Sequence, residues 1–156
     1  MKASRLMAVV GLAGAVIGSG GAVAHAQGSA AVLQQRAALM KQQAADLGVI
    51  HAYLTGKAPQ AKAVVAAAGL TNTTRKIPDL FPKGSGGTSP DGKFAAKPLI
   101  WSDWQGFLAA QGNAVQKAFA LSAAVKTGDK KKIGAAFADL GKNGCGGCHS
   151  KFREQK

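Results

Sequence analysis

Residues 30–55, AAVLQQRAALMKQQAADLGVIHAYLT, decide the fold class. Leu33, Ala37, Met40, Ala44, Leu47, His51 and Leu54 recur at alternating spacings of four and three. That is one stripe of a bundle-forming helix. Gly56-Lys57-Ala58-Pro59 then stops it, because proline cannot continue a helix. The chain reads in the same way further on. A second helix is expected over Gln60 to Arg75, Ala-rich with Val64, Val65 and Leu70 available for burial. A Pro/Gly-rich loop follows from Ile77 to Pro98, and loops of that length in compact domains tend to pack against something functional.

A third helix is expected after Pro98, carrying Trp101, Trp104, Phe107 or Leu108, Val115, Phe119, Ser122 and Val125 as far as Gly128. Asp129 suits the N-cap of a fourth, with Ile133, Phe137 and Leu140 on its apolar side, running to the C-terminus. No segment alternates convincingly as a strand. The fold class is therefore all-α, and four antiparallel helices are the simplest arrangement.

Towards the N-terminus, residues 1–26 have the layout of a secretory signal peptide. Lys2 and Arg5 precede a short apolar run from Leu6 to Ile17, and Ala24-His25-Ala26 supplies a small-x-small cleavage site. The run dissolves into Gly18-Ser19-Gly20-Gly21 and is marginal for spanning a bilayer, so no stable membrane anchor is expected after cleavage. The expected organisation is a signal peptide over 1–26 and one exported, periplasmic domain over 27–156.

Length and charge narrow the functions. At 156 residues a multi-domain enzyme is excluded, and two cysteines exclude a disulfide-stapled miniprotein. The 20 basic and 7 acidic residues give a net charge of +13, which first suggests a nucleic-acid surface. Loss of Lys2 and Arg5 with the signal lowers it to about +11. Export puts nucleic acid out of reach, so acidic redox partners or anionic membrane surfaces become the expected audience. No triad or carboxylate pair suggests an enzyme.

The chemistry concentrates at Cys145-Gly-Gly-Cys148-His149. C-x-x-C-H is the attachment signature of a c-type haem. Cysteines three apart share a helix face, so both thiols reach the vinyl groups along one haem edge, and the next residue's imidazole serves as proximal iron ligand. Three other readings compete. A disulfide would close too short a loop to stabilise much, a thioredoxin-like pair would need strands, and a zinc site would need more ligands than distant His51 provides. His51 lies about 16 Å along the helix from Met40, a bundle-end or surface position. Gly141, Gly144, Gly146 and Gly147 each cost a helix roughly 0.8–1 kcal/mol relative to alanine. They make sense if a flat macrocycle must approach closely.

An all-helical chain with this motif near its C-terminus resembles the class II c-type cytochromes, the cytochrome c′ superfamily. The resemblance rests on Cys145-Gly-Gly-Cys148-His149-Ser-Lys-Phe152-Arg153, and more weakly on Arg36-Ala-Ala-Leu39-Met40, Gly56-Lys57-Ala58-Pro59, Leu80-Phe81-Pro82-Lys83-Gly84 and Ile100-Trp101-Ser102. It implies an up-down-up-down four-helix bundle with one covalent haem c, His149 proximal, Arg153 beside it, Trp101 near the haem and commonly a homodimer. An exposed last-turn cation is the competing expectation for Arg153.

The family divides on its distal side. High-spin members leave the iron five-coordinate and admit nitric oxide or carbon monoxide. Low-spin members ligate a first-helix methionine and carry electrons. Met40 sits at the matching position, and the long 77–98 loop resembles the low-spin members. The leading expectation is a His149/Met40-ligated electron carrier. A gas-binding c′-type protein comes second, and a haem-free exported thiol or metal protein third.

Overall fold

The computed structural model describes residues 20–156, with side chains from Ala30 onward. The export segment expected over 1–26 therefore lies outside the described side chains, and its residues 1–19 lie outside the described chain. Helices dominate: α1 (Gly20–Leu54), α2 (Gln60–Arg75), α3 (Leu99–Ser102), α4 (Trp104–Thr127), α5 (Lys130–Asp139) and α6 (Gly147–Phe152). A π-helical stretch over Leu140–Gly146 joins α5 to α6. Taking α3–α4 and α5–α6 as single rods, the chain is a four-helix bundle.

Local signals place the helix ends. Pro59 is extended (ψ 152°) at the start of α2, where its missing N–H costs nothing. The third helix does start after Pro98, but it breaks after one turn. Asp103 leaves helical geometry (φ −122°, ψ 59°), and its carboxylate restarts the rod by accepting from the Gly106 N–H at 3.0 Å. Thr127 hands over to Gly128 at φ 73°, a left-handed terminus that favours glycine. Asp129 caps α5 as expected, accepting from the Lys131 and Lys132 amides.

The end of the bundle holding the α1–α2 and α4–α5 turns is closed by hydrogen bonds. Gln60 Nε2 donates to the carbonyls of Val125 (2.9 Å), which also accepts from the Gly128 N–H, and Lys126 (3.2 Å) in the last turn of α4. Tyr53 donates its hydroxyl hydrogen to the Gly128 carbonyl at 3.2 Å. Beneath these lies an aliphatic core that includes Ile50, Leu70, Leu121, Val125, Ile133 and Leu140, with Ala63 and Ala67 letting the helices approach.

The opposite end is built differently. Its core is Ile77, Phe81, Ile100, Phe107 and Phe152. Phe107 sits 5.0 Å from Phe81, and its edge-on contact with Phe152 is 5.4 Å between centroids. The expected loop from Ile77 to Pro98 is ordered and contains strands. Gly87–Thr88 (β1) pairs antiparallel with Phe94–Ala96 (β2), and β2 pairs with Arg153–Gln155 (β3). The fourth helix therefore does not run to the C-terminus. It ends at Phe152, and the last residues become a sheet edge. Strands of two or three residues are too short to carry a period-two pattern, which is why the sequence gives no sign of them.

The stripe on α1 also behaves in two ways. Leu47 and Leu54 pack on the aliphatic core. Leu33, Ala37, Met40 and Ala44 instead face a cleft. The buried α1 positions beside them are polar: Arg36, Gln43 and Asp46.

Candidate functional site

The motif is presented by an irregular helix. Asp139, at the end of α5, is held by Lys117 Nζ at 2.7 Å and accepts from Asn143 Nδ2 at 2.6 Å. Asn113 Nδ2 of α4 donates to the Asn143 carbonyl at 2.9 Å, pinning the π-helical stretch against α4. Gly144 is buried at that contact. A Cβ there would lie 2.8 Å from Leu140 Cδ1 of the same rod, which would have to shift, and in ordinary contact at 3.5 Å from the Ala114 Cα of α4. Cys145 is in the π-helical stretch and packs on the aliphatic core, while Cys148 lies in α6 and packs on the aromatic one. The motif thus bridges both halves of the molecule.

Cys145, Cys148 and His149 open into a cleft of about 320 Å³. α1 forms one wall with Leu33, Ala37 and Met40, α4 contributes Phe107, Gln111 and Ala114, and Phe94 to Ala96 of the hairpin close one side. Both cysteines are free thiols, and burial raises their pKa, that of Cys148 being raised further by Cys145. His149 goes the other way. Burial, and then the Arg153 charge, lower its pKa to about 4. Its imidazole is therefore neutral at pH 7, the form that offers a nitrogen lone pair to a metal.

Two neutral thiols, a neutral imidazole and a largely apolar slot fit a flat macrocyclic iron cofactor. A buried cation, Arg36, also lines the slot and would be available to such a cofactor's carboxylates. Arg36 Nε donates to the Leu80 carbonyl (2.6 Å) and Nη2 to the Ser85 carbonyl (2.8 Å), and the guanidinium lies 4.0 Å from the Phe81 ring centroid. Desolvation lowers its pKa to about 10, so it remains charged at neutral pH. A zinc cluster has no support, since no group of three or more His, Cys, Asp or Glu side chains is placed to hold a metal ion among the described residues.

Cys145, Cys148, His149 and Met40 all line the one cleft. Arg153 lines it too, but from β3 rather than from a last helical turn, and its exposed guanidinium stacks 4.4 Å from Phe94. Trp101 departs from expectation. It is not among the cleft residues, although its neighbour Ile100 is. Its indole N–H is taken by the carbonyls of Phe81 (3.1 Å) and Pro82 (3.0 Å), so Trp101 fastens the loop from behind. His51 is exposed on α1 against Phe137, away from the cleft.

The role of Arg36 went unread except within a family motif. Its signal was present, because it lies four residues before Met40 and shares that face of α1. The hairpin wall had no signal.

Comparisons with known proteins supply relatives for the whole described domain. The family model described as Cytochrome C′ matches residues 31–153. A cytochrome c′ of Rubrivivax gelatinosus is 40% identical over 109 residues, covering 69% of this chain and 82% of that protein. A cytochrome c′ of Rhodospirillum rubrum is 34% identical over 87 residues, 56% of each chain. Among solved structures, the crystal structure of the Rubrivivax gelatinosus protein superposes with a TM-score of 0.64 at 34% identity, covering 76% of this chain and 91% of that one. A ferrous variant of Alcaligenes xylosoxidans cytochrome c prime with bound NO gives 0.69 at 28% identity, covering 80% and 94%.

Proposed function

The chain belongs to the cytochrome c′ family, and from that premise we propose that it is a periplasmic haem protein that takes up nitric oxide or carbon monoxide in the cleft. Its cofactor is one covalent haem c. The haem supplies an iron that changes oxidation state and takes up small diatomic ligands. Cys145 and Cys148 hold the macrocycle through thioether bonds, and His149 is the protein ligand to the iron. Arg36, Lys41 and Arg153 are the cations that line the cleft and would be available to its carboxylates.

The observation that carries this reading is the wall supplied by α1. Leu33, Ala37 and Met40 face the cleft, and Met40 also packs against the aromatic cluster. A thioether engaged in packing leaves an apolar space suited to an uncharged diatomic. The nitric oxide complex among the related structures is in keeping with it. This reverses the order of the two readings drawn from the sequence.

Met40 itself supports the second reading. Its sulfur lines the same cleft as His149. As iron ligand it would raise the reduction potential and make the protein an electron carrier that docks acidic redox partners. Neither reading calls for turnover of an organic substrate. We place export at cleavage after Ala26, and no described helix is long and apolar enough to cross a membrane. A homodimer fits both readings.

Visible spectra of wild type and Met40→Ala decide between them. On the first reading the ferric protein is high-spin, the reduced protein binds carbon monoxide readily, and Met40→Ala leaves both properties in place. A low-spin ferric spectrum whose methionine–iron charge-transfer band disappears in Met40→Ala would sink it in favour of the second. Absence of a c-type pyridine haemochrome would remove both.

A further inference from the structure

The end of the bundle remote from the cleft is strongly cationic. Lys57 lies in the α1–α2 turn, Lys62 in the first turn of α2, Lys126 in the last turn of α4, and Lys130, Lys131 and Lys132 in the first turn of α5. All six are exposed. The Gln60 and Tyr53 hydrogen bonds that close this end hold the four segments together, so the six charges share one pole. Asp129 is the one carboxylate among these segments. It is already engaged by two backbone amides and by Lys132 Nζ at 3.6 Å. None of the other five lysines makes a salt bridge among the described residues, and Lys130 rests 5.4 Å from the Tyr53 ring centroid.

The arrangement is unfavourable on its own terms. Of the four helix ends here, those of α1 and α4 are negative and suit Lys57 and Lys126, whereas α2 and α5 begin here and direct positive dipole ends outward at Lys62 and Lys130–Lys132. Three consecutive lysines in the first turn of α5 add to that field instead of opposing it, where carboxylates would stabilise the helix. A partner that supplies negative charge over the whole pole would remove the conflict.

We propose that this pole docks the protein end-on to an anionic phospholipid surface. Protein interfaces draw most of their affinity from buried aromatic or arginine anchors. Here Tyr53 is covered by Lys130 and spends its hydroxyl on Gly128; of the exposed large apolar side chains Leu99 and Phe119 lie elsewhere, and Val65, three residues after Lys62 on α2, is a single aliphatic side chain and neither an aromatic nor an arginine anchor. Flexible lysines without an anchor suit a fluid charged sheet, whose headgroups rearrange around them. From Leu54 to Met40 the helix rises about 21 Å. The docked molecule would therefore hold its cleft roughly that far above the lipid, open to the aqueous side.

The test is co-sedimentation of the haem-loaded protein with vesicles at low salt. One set is phosphatidylcholine with about 30% phosphatidylglycerol, the other phosphatidylcholine alone. Binding is expected to the first only, and to be lost as salt screens the charges. The triple variant Lys130→Gln, Lys131→Gln, Lys132→Gln should bind about 100-fold more weakly, at roughly five-fold per lysine. A matched triple at the cleft end, Lys83→Gln, Lys93→Gln, Lys142→Gln, should stay within about two-fold. Haem absorbance and far-UV circular dichroism check that both variants are folded. Equal losses in the two triples would show diffuse charge and overturn the proposal, as would failure of the wild type to bind the anionic vesicles. Capture of an acidic polypeptide without vesicle binding, dependent on Lys130–Lys132, would reassign the pole to a protein partner.

Discussion

The two ends of this bundle are held together by different physics. Around Leu121, Ile50 and Ile133, aliphatic side chains and alanines fill the space between helices, and no aromatic ring takes part in the buried core. Around Phe107, phenylalanines pack ring to ring beside a cleft, and a buried guanidinium ties a loop to α1. The first end is a closed core whose stability comes chiefly from burial, with the Gln60 and Tyr53 hydrogen bonds tying its turns. The second keeps space for a cofactor and replaces lost packing with polar fasteners. Stability and chemistry are thus segregated along one axis, with the Cys145–Cys148 motif touching both.

The sharpest way to break this division is Leu121→Ala. Leu121 is fully buried in the aliphatic core, and such truncations cost about 2–5 kcal/mol. Denaturant titration should show that loss while the haem spectrum stays that of wild type. A spectral change of the same size would mean that the two ends are not independent.

Arg36→Met should act at the other end. It removes charge-assisted hydrogen bonds to Leu80 and Ser85 while keeping an unbranched apolar side chain. The expected cost is about 2 kcal/mol. Amide hydrogen exchange should accelerate within residues 84–97 and leave α2 and the lower half of α4 protected. Uniform acceleration would contradict a local fastening role.

The smallest effect is expected at Asp129. Its carboxylate pKa is held below 3.8, chiefly by the Lys132 amide. A carboxylate depressed in the folded state stabilises above its unfolded pKa, and that contribution disappears as pH falls through the folded value. Asp129→Ala should therefore melt slightly below wild type at pH 7, and the two curves should converge below about pH 3.8. A difference that persisted in acid would assign the cap to shape rather than charge.

What the sequence disclosed follows the same division. The aliphatic end was legible because it obeys periodic rules. Leu47 and Leu54 of the α1 stripe, Pro59, Gly128 and the Asp129 cap each bring a mechanism, and the structure places them where that mechanism requires. The motif was legible because its chemistry fixes its spacing. The aromatic end was only half readable. The break at Asp103 sits inside an otherwise continuous helical pattern, and the hairpin is assembled by pairing with residues some 60 positions away, beyond any local signal. Trp101 was placed by family likeness, and its hydrogen bonds turn it towards the loop instead of the cleft. Arg36 illustrates a more general blind spot, because periodic reading counts apolar positions and passes over a cation buried beside them.

The π-helical stretch over Leu140–Gly146 has one more consequence. A widened turn of this kind inserts about one surplus residue, which resets the angular phase of everything downstream by roughly 100°. Ile133 and Leu140 can then point into the core while Cys148 and His149, on the same rod, point into the cleft. Deleting a single residue between 141 and 143 would restore a regular helix and turn the motif away from its slot, with every side chain of the motif still present. The reading frame of this site lies in the backbone, one residue deep.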